Sequence, residues 1–262
     1  MYSIRLAASK RLMHFFILPG LLSLAGIASA ALPELIEQLK PSIVVIGTYD
    51  KTRSPAFLMR GSGFVVGNGS LVATNAHVVP ENLDPASGET MVIQVFSGRS
   101  GPQQRPARTA VIDESHDLAL LRIEGEPLPA IVLQTGGSVR EGQNIAFTGF
   151  PIGGVLGLSP VTHHGIISAI TPIALPSPTA RQLNEKVIKR LKSGTFEVFQ
   201  LDGTAYPGNS GGPLFETEKG EVIGVINMVL VKGTKESMLT QPSGISFAVP
   251  VLYLQELLRD MH

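Results

Sequence analysis

The chain has 262 residues, with 21 Lys+Arg balanced by 21 Asp+Glu for a formal net charge of +0, which removes the basic surplus that marks a dedicated nucleic-acid binder. Charged residues make up 16% and hydrophobic ones 44%, a foldable globular composition rather than a disordered one. Zero cysteines exclude disulfides, thiol nucleophiles, Fe–S clusters and Cys-ligated zinc, while 28 Gly and 19 Pro, above the usual combined share of about 12%, favour a turn-rich all-β architecture over a helical bundle.

Residues 1–30 read as a secretory signal peptide. Arg5, Lys10 and Arg11 form a basic start, an apolar run covers residues 15–27, and Ala28-Ser29-Ala30 is a small-x-small cleavage pattern. The run is short for a bilayer-spanning helix, which needs about 20 residues. The expectation is therefore a mature chain of residues 31–262, periplasmic or secreted, with no stable membrane span after cleavage; a retained anchor is the alternative. Pro33 then opens a short helix through Leu35, Ile36 and Leu39 that Pro41 ends.

Apolar or alternating runs bounded by Gly, Pro, Asn or Ser follow. They predict strands near 42–49, 61–66, 71–74, 90–96, 106–113, 118–123, 144–149, 161–170, 196–201, 212–215, 222–231 and 244–249, the spacing of a sandwich or barrel. Residues 172–194 break the pattern: Pro172, Pro176 and Pro178 precede a stretch with Leu183, Val187 and Leu191 at i, i+4 and i+8, rich in Lys and Arg. It reads either as a surface helix with a solvated basic face or as a lid or docking element beside the site. After Pro250 a terminal helix places Val251, Leu254, Leu257, Leu258 and Met261 on one face.

Three places carry chemistry. In Tyr206-Pro207-Gly208-Asn209-Ser210-Gly211-Gly212-Pro213, a serine flanked by glycines can sit on a tight turn that lets a substrate backbone come close. The amides of Gly208, Asn209 and Ser210 can then converge as oxyanion donors; a plain glycine turn is the bland reading. In Thr74-Asn75-Ala76-His77-Val78-Val79, a histidine at a strand end can act as general base, or be an ordinary structural residue. In His116-Asp117-Leu118-Ala119-Leu120-Leu121, an acid at the start of an apolar strand can orient an imidazole, or simply begin the strand. Together, the order His, Asp, Ser separates this chain from α/β-hydrolases and subtilisin-like enzymes.

These motifs, with Gly61-Ser62-Gly63-Phe64-Val65-Val66 and Gly244-Ile245-Ser246-Phe247-Ala248-Val249-Pro250, resemble the trypsin-like serine proteases, and among them the bacterial HtrA/Deg family. The resemblance covers residues 35–258. It implies two six-stranded antiparallel β-barrels, at about 42–130 and 140–249, with short N- and C-terminal helices and the site in the cleft between them. It implies His77 as base, Asp117 as orienting acid, Ser210 as nucleophile, and an oxyanion hole at Gly208 and Ser210. The chain runs only about twelve residues past Pro250, so the PDZ domains common in that family are not expected. By the same resemblance the primary specificity pocket is built from residues 202–206, 227–230 and 244–246, with Thr204, Asn227, Met228, Val229, Gly244 and Ser246 as its candidate residues. Thr204 falls near the position whose acid selects Arg or Lys in trypsin, so small or medium aliphatic residues are expected before the scissile bond.

His163-His164 resembles a metal pair only superficially, since adjacent strand residues point to opposite faces. No metal site is expected, and hydrolysis through serine requires no cofactor. Two function classes follow: a serine endopeptidase acting on protein or peptide substrates, with envelope protein quality control as its setting; or a protease-fold binding or chaperone-like protein whose site is inactive at rest.

Overall fold

Strand β1, Ile43–Tyr49, explains why these sequences look apolar rather than alternating. Val44 and Ile46 point into one cluster with Val65, Val72, Ile93, Val95 and Leu121. Ile43 and Val45 point into another with Phe64, Val66, Leu118, Leu120, Phe150, Val225 and Leu254. Successive side chains face opposite sides of a strand, so one face fills a barrel and the other packs outside it, and both are dry. The computed structural model describes residues 31–81, 83, 88–96, 101–154, 157–173, 196–227 and 244–261.

The first barrel is β1, β2 (Phe57–Val66), β3 (Leu71–Thr74), β4 (Thr90–Phe96), β5 (Pro102–Asp113) and β6 (Leu118–Ile123), closed in the order β1-β2-β3-β6-β5-β4. The second is β7 (Asn144–Gly149), β8 (Val161–Ile173), β9 (Phe196–Asp202), β10 (Pro213–Glu216), β11 (Val222–Asn227) and β12 (Ile245–Pro250). It closes as β10-β11-β12-β9-β8-β7, the same order as the first barrel. All pairings within both are antiparallel. Closure leaves no free sheet edge. The interior of the second barrel holds Ile145, Phe147, Ile167, Phe199, Leu201, Leu214, Ile223 and Ile226.

Three features hold the barrels together. The connecting chain is laced to both: Ile131 N–H donates to Val65 O (2.9 Å), Val222 N–H to Val132 O (2.9 Å) and Gln134 N–H to Val222 O (2.9 Å). Helix α1, Leu32–Leu39, lays Leu35 and Leu39 over Gly220 in the β10–β11 turn. Helix α2, Val251–Arg259, buries Val251, Leu254 and Leu257 in the inter-barrel cluster. Leu258 and Met261, expected on the same face, are partly buried against it.

The sequence bounds differ from the observed ones where the pattern is weak. β2 starts at Phe57, earlier than its apolar run, and β5 at Pro102, in a polar stretch that pairs with β4 through backbone groups. Pro41 does not end the helical turn but sits in a 3-10 turn, Lys40–Ser42. β8 runs on to Ile173, whose partner is Phe196, so Pro172 belongs to a strand; the rest of the 172–194 segment lies outside the described residues. Residues 1–30, read as a signal peptide, lie outside them too. Among the described residues no helix is long and apolar enough to cross a membrane.

Candidate active site

Asp117 ends the turn before β6 with φ +55, a left-handed conformation that Asp tolerates better than most residues. The bend turns its side chain under the segment after β3. Its carbonyl accepts from Ala76 N–H (3.1 Å) and Asn75 Nδ2 (3.1 Å). Its Oδ1 accepts the His77 N–H (3.0 Å), and its Oδ2 lies 2.6 Å from His77 Nδ1. Asp117 is buried, with its side chain 5% exposed, while that of His77 is 28% exposed. A buried carboxylate gripping Nδ1 fixes the tautomer that leaves Nε2 free as acceptor, the arrangement of a general base.

Oδ2 has another donor, Asn227 Nδ2 at 2.8 Å. Asn227, expected to line the specificity pocket, is fully buried at the end of β11 and supports the acid instead. Ser246 also departs from its expected place. It is 1% exposed, and its hydroxyl donates to Gly203 O (2.7 Å) while accepting from Ala205 N–H (2.7 Å), so it ties β12 to the back of residues 203–205. Gly244, at φ +72, accepts from Gly203 N–H (3.3 Å). Thr204 is half-buried on this same strip. Met228 and Val229 lie outside the described residues.

Ser210 follows a tight turn. Asn209 N–H donates to Tyr206 O (2.9 Å) and Gly208 has φ +106; with Pro207 ahead of it, this is a type II turn. Only glycine fits at 208: besides the positive φ, a Cβ there would collide with the Phe150 carbonyl. The carbonyls of the turn all have donors. Pro207 O accepts Ile152 N–H (2.7 Å), Asn209 O accepts Gly212 N–H (2.9 Å), Ser210 O accepts Ser62 N–H (2.8 Å), and Gly208 O accepts the Ser62 hydroxyl (2.6 Å). The Gly208 and Ser210 amides find no acceptor among the described residues. Asn209, expected as a third oxyanion donor, is corrected: its N–H closes the turn and points to Tyr206. Its side-chain Oδ1 and Nδ2 are buried without a hydrogen-bond partner among the described residues.

The two halves meet at Gly61, where a Cβ would reach Val78 Cγ2 at 2.7 Å and Ser210 O at 3.0 Å. Val78, the neighbour of His77, and Ser210 therefore flank one point on β2. No hydrogen bond joins the Ser210 hydroxyl to the His77 ring among the described residues.

The profile of the family described as "Trypsin-like peptidase domain" matches residues 61–225, from the β2 glycine beside Ser210 to the strand that carries Asn227. The chain belongs to the trypsin-like peptidase family. It is 33% identical over 202 residues to the mitochondrial serine protease HTRA2 of Drosophila pseudoobscura pseudoobscura, covering 77% of this chain and 39% of that protein. It is 31% identical over 229 residues to the Bos taurus mitochondrial HTRA2, covering 86% and 42%. It is 29% identical over 223 residues to the Homo sapiens serine protease HTRA3, covering 83% and 42%. The chain spans about two fifths of the length of these relatives.

Two other histidines of this trypsin-like domain, His163 and His116, are held by packing. His163 stacks on Phe147 (centroids 4.8 Å, 17°) inside the second barrel, and burial holds its pKa below the ordinary 6.5; His164 is exposed. His116 points away from Asp117, as expected, but because the turn bends at 117 rather than by strand alternation. It lies 2.5 Å from Asp113 Oδ2 and stacks on Tyr253 of α2 (3.9 Å, 14°). Burial works to raise the Asp113 carboxyl, but the hydrogen bond and charge of His116 and the backbone N–H groups of His116 and Ser115 hold it below 3.8.

Proposed function

We propose that the chain is a serine endopeptidase that hydrolyses protein or peptide substrates, with Ser210 as nucleophile, His77 as general base, Asp117 as its orienting acid, and the Gly208 and Ser210 amides as the oxyanion hole. The observation that carries the reading is the pairing of a buried carboxylate with His77 Nδ1 across from a serine turn with two uncommitted amides. In the reaction, His77 Nε2 takes the Ser210 proton as Oγ attacks the scissile carbonyl. Asp117 stabilises the imidazolium, and the two amides meet the oxyanion. The imidazolium then protonates the leaving amine, and water repeats the cycle on the acyl-enzyme.

Relatives named as serine proteases support the same class. The half-buried Thr204 offers no charge to a basic side chain, which favours aliphatic residues before the scissile bond. The basic, apolar and small-residue order of residues 1–30 favours work outside the cytoplasm, on proteins of the cell envelope. A second reading, a protease-fold binding protein with a resting inactive site, is favoured by the missing hydrogen bond between His77 and Ser210.

One experiment separates the two: casein hydrolysis and fluorophosphonate labelling of the parent and of Ser210→Ala. The protease reading expects labelling and hydrolysis in the parent and neither in the variant. A folded parent that neither labels nor cleaves supports the binding protein.

A further inference from the structure

The Gly61-Ser62-Gly63 motif is left unused by the triad, yet Ser62 makes two hydrogen bonds to the serine turn, to Ser210 O and Gly208 O. It lies on β2 of the first barrel and is completely buried. We infer that Ser62 is a positioning residue that latches the oxyanion turn of the second barrel in its open-handed form, with the Gly208 and Ser210 amides facing the substrate. The inference rests on the protease reading above.

An oxyanion hole is a matter of peptide-plane direction: flip a plane, and a carbonyl dipole replaces an N–H at the developing negative charge. In residues 207–210 each plane is fixed through its carbonyl: the two planes that carry the hole's amides, 207–208 and 209–210, are held by Ile152 and Gly212, and the two planes adjoining them, 208–209 and 210–211, are held by Ser62. Its N–H takes Ser210 O at 2.8 Å. Its hydroxyl donates to Gly208 O at 2.6 Å. The same oxygen accepts Phe150 N–H at 3.0 Å, and Phe150 lies two residues before Ile152, whose N–H holds Pro207 O. A third carbonyl is thereby coupled to Ser62 through one short segment.

Ser62 is itself held in place. Its carbonyl accepts the Thr74 hydroxyl (2.8 Å), one strand over and three residues before His77. Its neighbours approach it closely. A Cβ on Gly149 would meet Ser62 Oγ at 2.9 Å, and one on Gly211 would collide with Ser62 O. A hydroxyl is the fitting group, because one atom must donate to a carbonyl and accept from an amide at once. Alanine would leave the part-buried Gly208 carbonyl and the buried Phe150 N–H unpaired; the carbonyl is relieved by rotating the Gly208–Asn209 plane, which lies between the two planes that carry the hole's amides and so turns them with it.

The test is Ser62→Ala, with Ser62→Cys keeping a weak donor at the same place. Steady-state kinetics, fluorophosphonate labelling and inhibition by a peptide boronic acid, whose tetrahedral adduct carries an oxygen into the hole, are measured well below the melting temperature. Ser62→Ala is expected to lose about 10–100-fold in kcat with KM within two-fold. That is below the 10²–10³ cost of removing an oxyanion donor outright. Boronate affinity is expected to fall in proportion, with Ser62→Cys intermediate. A folded Ser62→Ala that keeps kcat and boronate affinity within two-fold of an active parent overturns the latch, even if its melting temperature drops. If Ser62→Ala does not fold, Ser62→Cys decides: a kcat within two-fold of the parent, with unchanged boronate affinity, overturns it. A parent with no Ser210-dependent hydrolysis instead overturns the protease reading.

Discussion

Asn227→Ala distinguishes support of the acid from lining of the pocket. In the structure Asn227 Nδ2 lies 2.8 Å from Asp117 Oδ2, the oxygen that His77 Nδ1 approaches at 2.6 Å. A hydrogen bond to a charged group contributes about 1.5–3 kcal/mol, and each 1.4 kcal/mol is a factor of ten, so loss of this donor corresponds to about 10–100-fold. The ceiling is the on the order of 10⁴-fold cost of disabling the acid itself. The alanine also leaves a buried carboxylate short of a donor, which lowers stability by about 1–3 kcal/mol. The assay is kcat/KM over a set of peptides that differ only in the residue before the scissile bond, together with urea denaturation. The expectation is a uniform fall across the set with its order of preference kept. A changed order with the best kcat preserved would return Asn227 to the pocket and refute the argument.

Other perturbations have equally definite outcomes. Burial depresses the His163 pKa from 6.5, so the unfolded chain takes up this proton first and stability is lost as pH falls below 6.5; His163→Phe is expected to reduce that loss, seen as a smaller difference between urea midpoints at pH 8 and pH 5. The Asp113 carboxyl is held below 3.8, so its contribution is present above that value and lost as pH falls through the folded one. Asp113→Asn is therefore expected to destabilise at pH 7, with the deficit shrinking as acid melts are taken below pH 3.8 and through the folded pKa. Gly211 has φ +84, and a Cβ there would collide with Ser62 O and Thr74 Oγ1. Gly211→Ala is expected to cost at least 1–3 kcal/mol and most of the activity, measured by thermal melts and peptide hydrolysis.

Strands bounded by turn residues and filled with β-branched side chains were legible to the residue: β3, β4, β6 and β7 match the pattern read from sequence. The start of β5 was not, because Gln103, Gln104 and Arg105 join β4 by backbone bonds alone, which leave no mark on side-chain periodicity. The serine turn was legible because its chemistry is local: Pro207, Gly208 and Ser210 write a type II turn into consecutive positions. The place of Asn227 beside the acid and of Ser62 under the serine turn is not legible in the sequence, for the opposite reason. Asn227 meets Asp117 across 110 positions, and Ser62 meets Gly208 across 146. Asn227 sits at the end of an apolar strand and Ser62 inside one. Only the packing of one barrel against the other brings such polar residues to the site; the usable signal is the polar residue itself, which must find a partner once buried. The reading of Asn209 as an oxyanion donor failed within the turn, where closing the type II bond consumes its N–H.

In the proposed reaction the acyl group of the scissile bond passes to Ser210 Oγ as the amine leaves. The direct measurement is to react the protein with a slow ester substrate, quench in acid at pre-steady-state times, and locate the acyl group by mass spectrometry of proteolytic fragments. The account predicts a single acyl adduct on Ser210 that forms in a burst and decays with turnover, and no adduct in Ser210→Ala. Continued substrate hydrolysis with the acyl group on another residue, or with none on Ser210, would contradict it.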